Sequence, residues 1–346
     1  MARGDRRGLR ILTARATALA LICALAEATT IAGPSVWSRA REPVVGAQEE
    51  AIDEAQRAVA HYRMISRGRG EESPGAVLAL RKARELLAQA IEKGVTDFGV
   101  RLLYVGVLRD ANANDEAYAV LTKLLADKPP APLRAEALGD LAILHALAGR
   151  REEEIRAYTD ALAIEPHAHR RCRLLANRAE ALMATGDVTS AVDGYRAALA
   201  PLSTRELYFY APTALFGLGV ALDRSGNLED GLASIKLARA YDPIDHGLRG
   251  PDWFFSPAHD SHWYWALGAW STARSSETWA ARAESYDRAV FEWEQYVEIA
   301  PEDDRWIPLA KVRLAQVKRE QAEMKKRYEA QKKAKAESAA PGPSPR

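Results

Sequence analysis

The chain has 346 residues, 48% of them apolar and 27% charged, and its 48 Lys and Arg against 47 Asp and Glu leave a formal net charge of +1. Near-neutrality excludes a partner held by global charge, such as a polyanion, so any electrostatic recognition must be local. Ala and Leu dominate and β-branched residues are sparse, which favours helix. Segments recur at a spacing in the thirties, and units of that size bury an apolar face by stacking on copies of themselves rather than by enclosing a catalytic pocket.

In chain order, Arg3, Arg6, Arg7, Arg10 and Arg15 precede an apolar run from Ala16 to Ala26 that Glu27 ends. A run of this length reads as the core of a secretory signal and is shorter than the ~20 apolar residues a spanning helix needs. Residues 1–35 are therefore expected to be a signal peptide, cut before Val36, and residues 36–47 a linker. Small-x-small sites stand at Ala24-Leu25-Ala26 and Thr30-Ile31-Ala32, with Val45-Gly46-Ala47 as a later one. The alternative is an uncleaved membrane anchor extending through Ile31. Export places the protein in the periplasm or cell envelope. Cys23 leaves with the signal, so the mature chain keeps Cys172 alone and forms no internal disulfide. Cys172 itself reads as a small, partly buried apolar residue.

A first hairpin is expected to pair a helix near Glu50–Ile65 with one near Val77–Lys93. A degenerate repeat follows from Phe98 to Pro129, with Asn112 at its turn and Ala117, Leu121, Leu124 and Leu125 on its second helix. The clearest copy is residues 135–168. Leu141 and Ala142 sit at its helix crossing, Gly149 makes the turn, and Ile155, Tyr158, Ala161 and Leu162 form an apolar stripe at steps of three and four. Pro166 closes it, having no N–H to continue the helix. The next copy, 172–204, has Ala179, Gly186, Ala191, Tyr195, Ala198 and Leu199 in the same places. A third, 212–245, begins near Pro212 and carries Leu218, Gly219, Leu222, Gly226, Leu232, Ala238 and Pro243. Starts at 98, 135, 172 and 212 are 37, 37 and 40 residues apart. Phe216-Gly217-Leu218-Gly219 looks like the opening of a nucleotide fingerprint, but no strand precedes it, and both glycines suit close helix packing instead.

These residues resemble the tetratricopeptide repeat (TPR) family, strongly over 135–245 and loosely over the rest of 48–302. The resemblance implies an all-α fold, an α-solenoid of five to six antiparallel helical hairpins with a C-terminal capping helix. It also implies a non-catalytic scaffold that binds a protein or peptide partner. In such proteins the first helices of successive hairpins line a concave groove. Carried over by alignment, the groove positions here are Arg109, Asp140, Ile143, Arg173, Asn177, Glu180, Phe216, Val220, Asp223, Arg224, His262 and Trp265. Of these, Arg173, Asn177, Glu180, Phe216, Val220, Arg224 and Trp265 are the candidate partner-binding residues. The set lacks the Lys/Asn pattern of chaperone-binding TPR domains, so a clamped terminal carboxylate is not expected.

After Pro243 the composition changes: seven of the eight tryptophans lie between Trp253 and Trp306. An altered repeat is expected over 261–301, with Leu267-Gly268 at the crossing and a second helix from Glu284 to Ala300. Ser271–Arg282 reads as an insertion replacing the tight turn. The aromatics either cap the end of the array or form a binding platform. The loop residues Trp253 and Phe254 join Trp265 as the candidates for binding. His259 and His262 are spaced for a shared metal if they lie on one helical face. The ligand count favours ordinary polar roles, so no metal or cofactor is expected, and a ligand- or metal-binding module on this repeat is kept as the alternative.

From Trp306, Ile307, Ala310, Leu314 and Val317 make one more stripe, giving a C-terminal helix over 303–336. Lys318 to Lys335 carries eight basic and three acidic residues, and residues 337–346 read as disordered. A solvated helix extension is the simpler reading. The alternative is an assembly subunit touching anionic membrane through this basic segment, each basic residue contributing about 1 kcal/mol. Nucleic acid is excluded as a partner by the expected export. No Walker, HExxH, CxxC or G-x-S-x-G motif occurs, which agrees with a non-enzyme.

Overall fold

The computed structural model describes residues 43–69, 73–249 and 255–339, and every regular element among them is a helix. The signal segment, most of the linker, Trp253, Phe254 and the last seven residues lie outside the described residues. The chain falls into two compact units, one ending at Val107 and one beginning at Leu108.

In the first unit, helices α1 (Pro43–Arg69) and α2 (Pro74–Glu92) form an antiparallel hairpin. Ser73 caps α2 by accepting from the Ala76 N–H, and Pro74 fits the first helical turn, where no N–H partner is needed. Tyr62 packs with Ala76 and Ala79 between the two helices. Helix α3 (Phe98–Asp110) follows.

The second unit begins with the end of α3, from Leu108, and α4 (Asn114–Ala126), and continues as hairpins: α5 (Ala131–Leu147) with α6 (Arg151–Ile164), α7 (Ala168–Thr185) with α8 (Val188–Leu199), and α9 (Thr204–Arg224) with α10 (Leu228–Tyr241). A short α11 (His246–Arg249) precedes the last hairpin, α12 (Asp260–Ser275) with α13 (Trp279–Ile299), and α14 (Ile307–Ala339) packs on α13. The turns repeat one geometry. Asn112, Gly149, Gly186 and Gly226 all have φ between 56° and 95°. In each case the next residue donates to a carbonyl five positions back, as Asp187 does to Leu182 and Asn227 to Leu222. This is the left-handed helix stop that glycine enters without penalty, and Asn is among the few other residues that tolerate it.

At the α9–α10 crossing the backbones approach so closely that a Cβ on Gly219 would stand 2.5 Å from Ile235 Cγ1 and 2.9 Å from the Gly231 carbonyl. The glycines of the apparent nucleotide fingerprint are thus packing residues. Gly219→Ala is expected to cost about 1–3 kcal/mol through overpacking, measured as a lower urea midpoint. Gly106→Ala, where a Cβ meets nothing within 4 Å, should be neutral or stabilising by helix propensity. An unchanged midpoint for Gly219→Ala would refute the close approach.

Several boundaries differ from the sequence reading: α1 begins at Pro43, inside the segment read as a linker, and α14 ends at Ala339, inside the tail read as disordered. Helix α9 starts at Thr204, not near Pro212, because Ser203 and Glu206 form a reciprocal capping box and Pro212 is accommodated inside the helix. The stretch read as an enlarged turn, Ser271–Arg282, is helical except at residues 276–278. Helix α12 runs on to Ser275, and Thr278 caps α13 through the Ala281 N–H at 3.2 Å, so the added residues lengthen the helices. The stripe of α14 also continues past Val317: Ala310, Val317 and Met324 are buried at heptad spacing, and Tyr328 meets the Trp279 ring at 5.4 Å.

Candidate functional site

In the second unit the first helices of successive hairpins line a cleft of about 270 Å³. Asp140 and Ile143 reach it from α5, and Arg173, Asn177 and Glu180 from one face of α7. Tyr210 and Thr213 come from α9, and Arg109 from the end of α3. The sequence-predicted positions from Arg109 to Glu180 therefore converge. The cleft is closed along one side by Gly247 and Ser256. Arg151, at the start of α6, donates to the Ser256 carbonyl at 2.7 Å and to its Oγ at 2.9 Å. Ser256 Oγ in turn donates to the Ala146 carbonyl at 3.2 Å. A loop from just before the last hairpin is thereby tied to the hairpin α5–α6, more than a hundred residues earlier.

Most of the charged side chains that line the cleft are paired. Arg109 bonds Asp140 at 3.0 Å; burial raises the Asp140 carboxyl above its ordinary value, and Arg109 opposes the rise. Arg151 bonds Glu154 at 2.7 Å, with burial again raising the carboxyl and Arg151 opposing it. Asn177 donates to the Tyr158 hydroxyl at 3.3 Å, and burial raises that phenol too. On the rim, burial opposes ionisation of Glu165, but hydrogen bonds from His167 hold its carboxyl below the ordinary value. Glu180 is different. Its Oε1 is buried with no hydrogen-bond donor among the described residues. Burial first, then the neighbouring charges of Asp260 and Glu154, push its carboxyl up to about 8. Cys172 also lines the cleft, where burial pushes the thiol up to about 11, in keeping with a packing role.

The remaining groove candidates are not exposed. Phe216 and Val220 are fully buried, and Arg224 and Asp223 lie in the core. The reason is that α9 is packed by α7, α8, α10 and α12, so the face an open groove would leave free is covered. Both Arg224 Nη atoms bond Asp260, at 2.7 and 3.2 Å, and the guanidinium lies 4.5 Å from the Trp263 ring and 4.9 Å from the Trp306 ring. Asp223 accepts from Arg313 at 2.7 Å and from the Trp263 indole at 3.0 Å. Trp265 is half-buried, outside the cleft, with the Arg249 guanidinium 4.8 Å from its ring.

The aromatic cluster is chiefly a cap. Trp263, Trp270, Trp293, Tyr264 and Tyr296 are fully buried, and Trp263 meets Trp293 and Tyr296 edge-on at 4.8 and 5.0 Å. His259 and His262 take separate carboxylate partners, Asp304 at 3.0 Å and Glu292 at 2.6 Å. In the basic segment, Glu320 is the anchor. It accepts from the Trp270 indole at 2.8 Å and from Arg274 at 2.6 and 3.0 Å. Burial opposes its ionisation, but these donors hold its carboxyl low. Sequence reasoning placed Tyr158 in the packing stripe and did not single out Arg151, Ser256 or Tyr210. A contact such as Arg151–Ser256 has no local signature.

No protein-family model matches the sequence, and no curated protein does. Solved structures resemble it at low identity. A tetratricopeptide repeat protein from Parabacteroides merdae is 15% identical, over 79% of this chain and 99% of its own, with a TM-score of 0.45. The APC/C hetero-tetramer Cut9-Hcn1 is 12% identical over 79% of this chain and 48% of that one, at 0.45. MamA is 14% identical over 52% of this chain and 96% of its own, at 0.40. The likeness is one of fold. The hairpin assignment itself rests on the helix pairs and the recurring left-handed turns.

Proposed function

We propose that this chain is a non-catalytic scaffold of TPR type that seats a segment of a partner protein in the cleft between α5, α7 and α9. The observation carrying the reading is the convergence of Asp140, Ile143, Arg173, Asn177 and Glu180, from the first helices of two successive hairpins, on one concavity. Elsewhere the polar side chains that looked available from sequence pair with one another inside the array. A photo-crosslinking residue at Ile143 is expected to give adducts with one partner protein. The same residue at Thr159, exposed on the second helix α6, should give none. Equal adducts from both positions, or none from Ile143, would remove the cleft as the partner site.

The N-terminal arginines and the apolar run Ala16–Ala26 support export, so the partner is sought in the periplasm or cell envelope. Fractionation with N-terminal sequencing is expected to find a mature chain beginning at Glu27 or Gly33. A cytoplasmic chain beginning at its first residues would end the envelope reading.

A further inference from the structure

The cleft contains an imbalance of charge. Two other carboxylates act on Glu180 of α7 at its inner side: Glu154 of α6, which lines the cleft with it, and Asp260 of α12, in the core beyond the lining. Two guanidiniums face them, Arg151 and Arg224. Arg151 is bonded to Glu154 and the Ser256 backbone, and Arg224 is bonded through both Nη atoms to Asp260. The phenols of Tyr158 on α6, Tyr195 on α8 and Tyr264 on α12 are also coupled to Glu180 and carry no positive charge. Glu180 is therefore the one carboxylate of the three without a cation bonded to it. Buried acids are ordinarily paired or neutral, because an isolated buried charge costs several kcal/mol.

Along the same face of α7, Arg173 is exposed and Asn177 half-buried, and Glu180 has its Oε1 fully covered. The cleft thus runs from solvent to a carboxylate whose covered oxygen has no donor. Its volume of about 270 Å³ lies just below the ~300–1,000 Å³ of drug-sized pockets. Such a space takes one extended side chain, and the loop held by Arg151 leaves no open trough for a long peptide.

We infer that the cleft is a receptor for a single lysine side chain of the partner, its ammonium bonded to the Glu180 carboxylate. This rests on the reading of the cleft as the partner site and names the feature recognised there. The ammonium supplies the missing cation and the missing donor together. Binding also fixes Glu180 in its ionised form, so the complex releases a proton near neutral pH.

The test uses the full chain and two blocked tripeptides, acetyl-Gly-Lys-Gly-amide and its Nζ-acetyl-lysine counterpart, titrated by NMR. The lysine peptide is expected to shift resonances of α7 and to bind at least tenfold more tightly than the acetylated one. Glu180→Gln is expected to weaken the lysine peptide by at least tenfold and to leave the acetylated peptide unchanged. Equal binding of the two peptides by the wild-type chain, or no binding of either, would overturn the lysine assignment even if the variant failed to fold. Crosslinks from Ile143 that persist with an acetylated partner would overturn it while leaving the scaffold reading in place.

Discussion

Arg224→Met is expected to lower folding stability by about 3–5 kcal/mol, the cost of leaving one member of a buried ion pair uncompensated. The side chain of Arg224 is 0% exposed and that of its partner Asp260 6%. Desolvation works against the charge of Arg224, but Asp260 more than offsets it, so the guanidinium stays firmly protonated. Removing it strands Asp260 beside the Tyr296 hydroxyl, 3.5 Å away, and takes a cation from between two indole rings. Arg224→Met/Asp260→Leu should recover most of the loss, because two apolar residues leave no buried charge. The pair Arg109–Asp140 is the contrast: its side chains are 27% and 20% exposed, and Arg109→Ala should cost about 1 kcal/mol or less. Urea unfolding with tryptophan fluorescence reads all of these. An Arg224→Met midpoint equal to wild type would show that the joint between α9 and α12 does not depend on the pair.

Glu180→Gln is expected to stabilise the protein, by an amount that grows with pH. The folded carboxyl is pushed up to about 8 from an ordinary value of 4.5. Between those two values the folded chain holds a proton that the unfolded chain has lost. Wild-type stability therefore falls as pH rises through that window, by about 1.4 kcal/mol per pH unit at most. Glutamine keeps the shape and cannot ionise. The two proteins should be nearly matched at pH 5 and differ by a few kcal/mol at pH 8. Parallel stability profiles across pH 5–8 would show that Glu180 is not held in a charge-hostile place. In the presence of a lysine-bearing ligand the wild type should regain the deficit by mass action.

Much of the frame was legible in the sequence because it depends on local chemistry. The left-handed turns at Asn112, Gly149, Gly186 and Gly226 require residues that enter that conformation, and the sequence supplies them at 37, 37 and 40-residue steps. The tight spacing of tryptophans after Pro243 pointed to a cap because so much aromatic area must be covered. Asp140, Arg173, Asn177 and Glu180 could be placed on the cleft because helical phase is local too.

What was not legible depends on how separate hairpins fold onto one another. Phe216, Val220 and Arg224 have the phase of groove residues, yet the helices packed on α9 cover them, and nothing within α9 encodes that. The Ser271–Arg282 stretch departs from the repeat length and so reads as a loop. Its own residues, Trp279-Ala280-Ala281-Arg282-Ala283, are compatible with helix, and Thr278 caps them. Glu320 lies in a segment whose composition suggests plain solvation. Its partners Trp270, Arg274 and Tyr286 lie 34 to 50 residues earlier.

The bond between Arg313 and Asp223 spans 90 residues of sequence. A chain made from its N-terminus at about 5–20 residues per second reaches Arg313 some 5–20 s after Asp223. Through that interval Asp223 has the indole of Trp263 already made but lacks the cation it pairs with. Completion of the core around α9 therefore waits for the synthesis of α14. A message truncated before Arg313 would yield a protein whose earlier hairpins are formed but whose central acid has lost the charge meant to meet it. Such a product is recognisable as incomplete by its chemistry alone, before any partner is encountered.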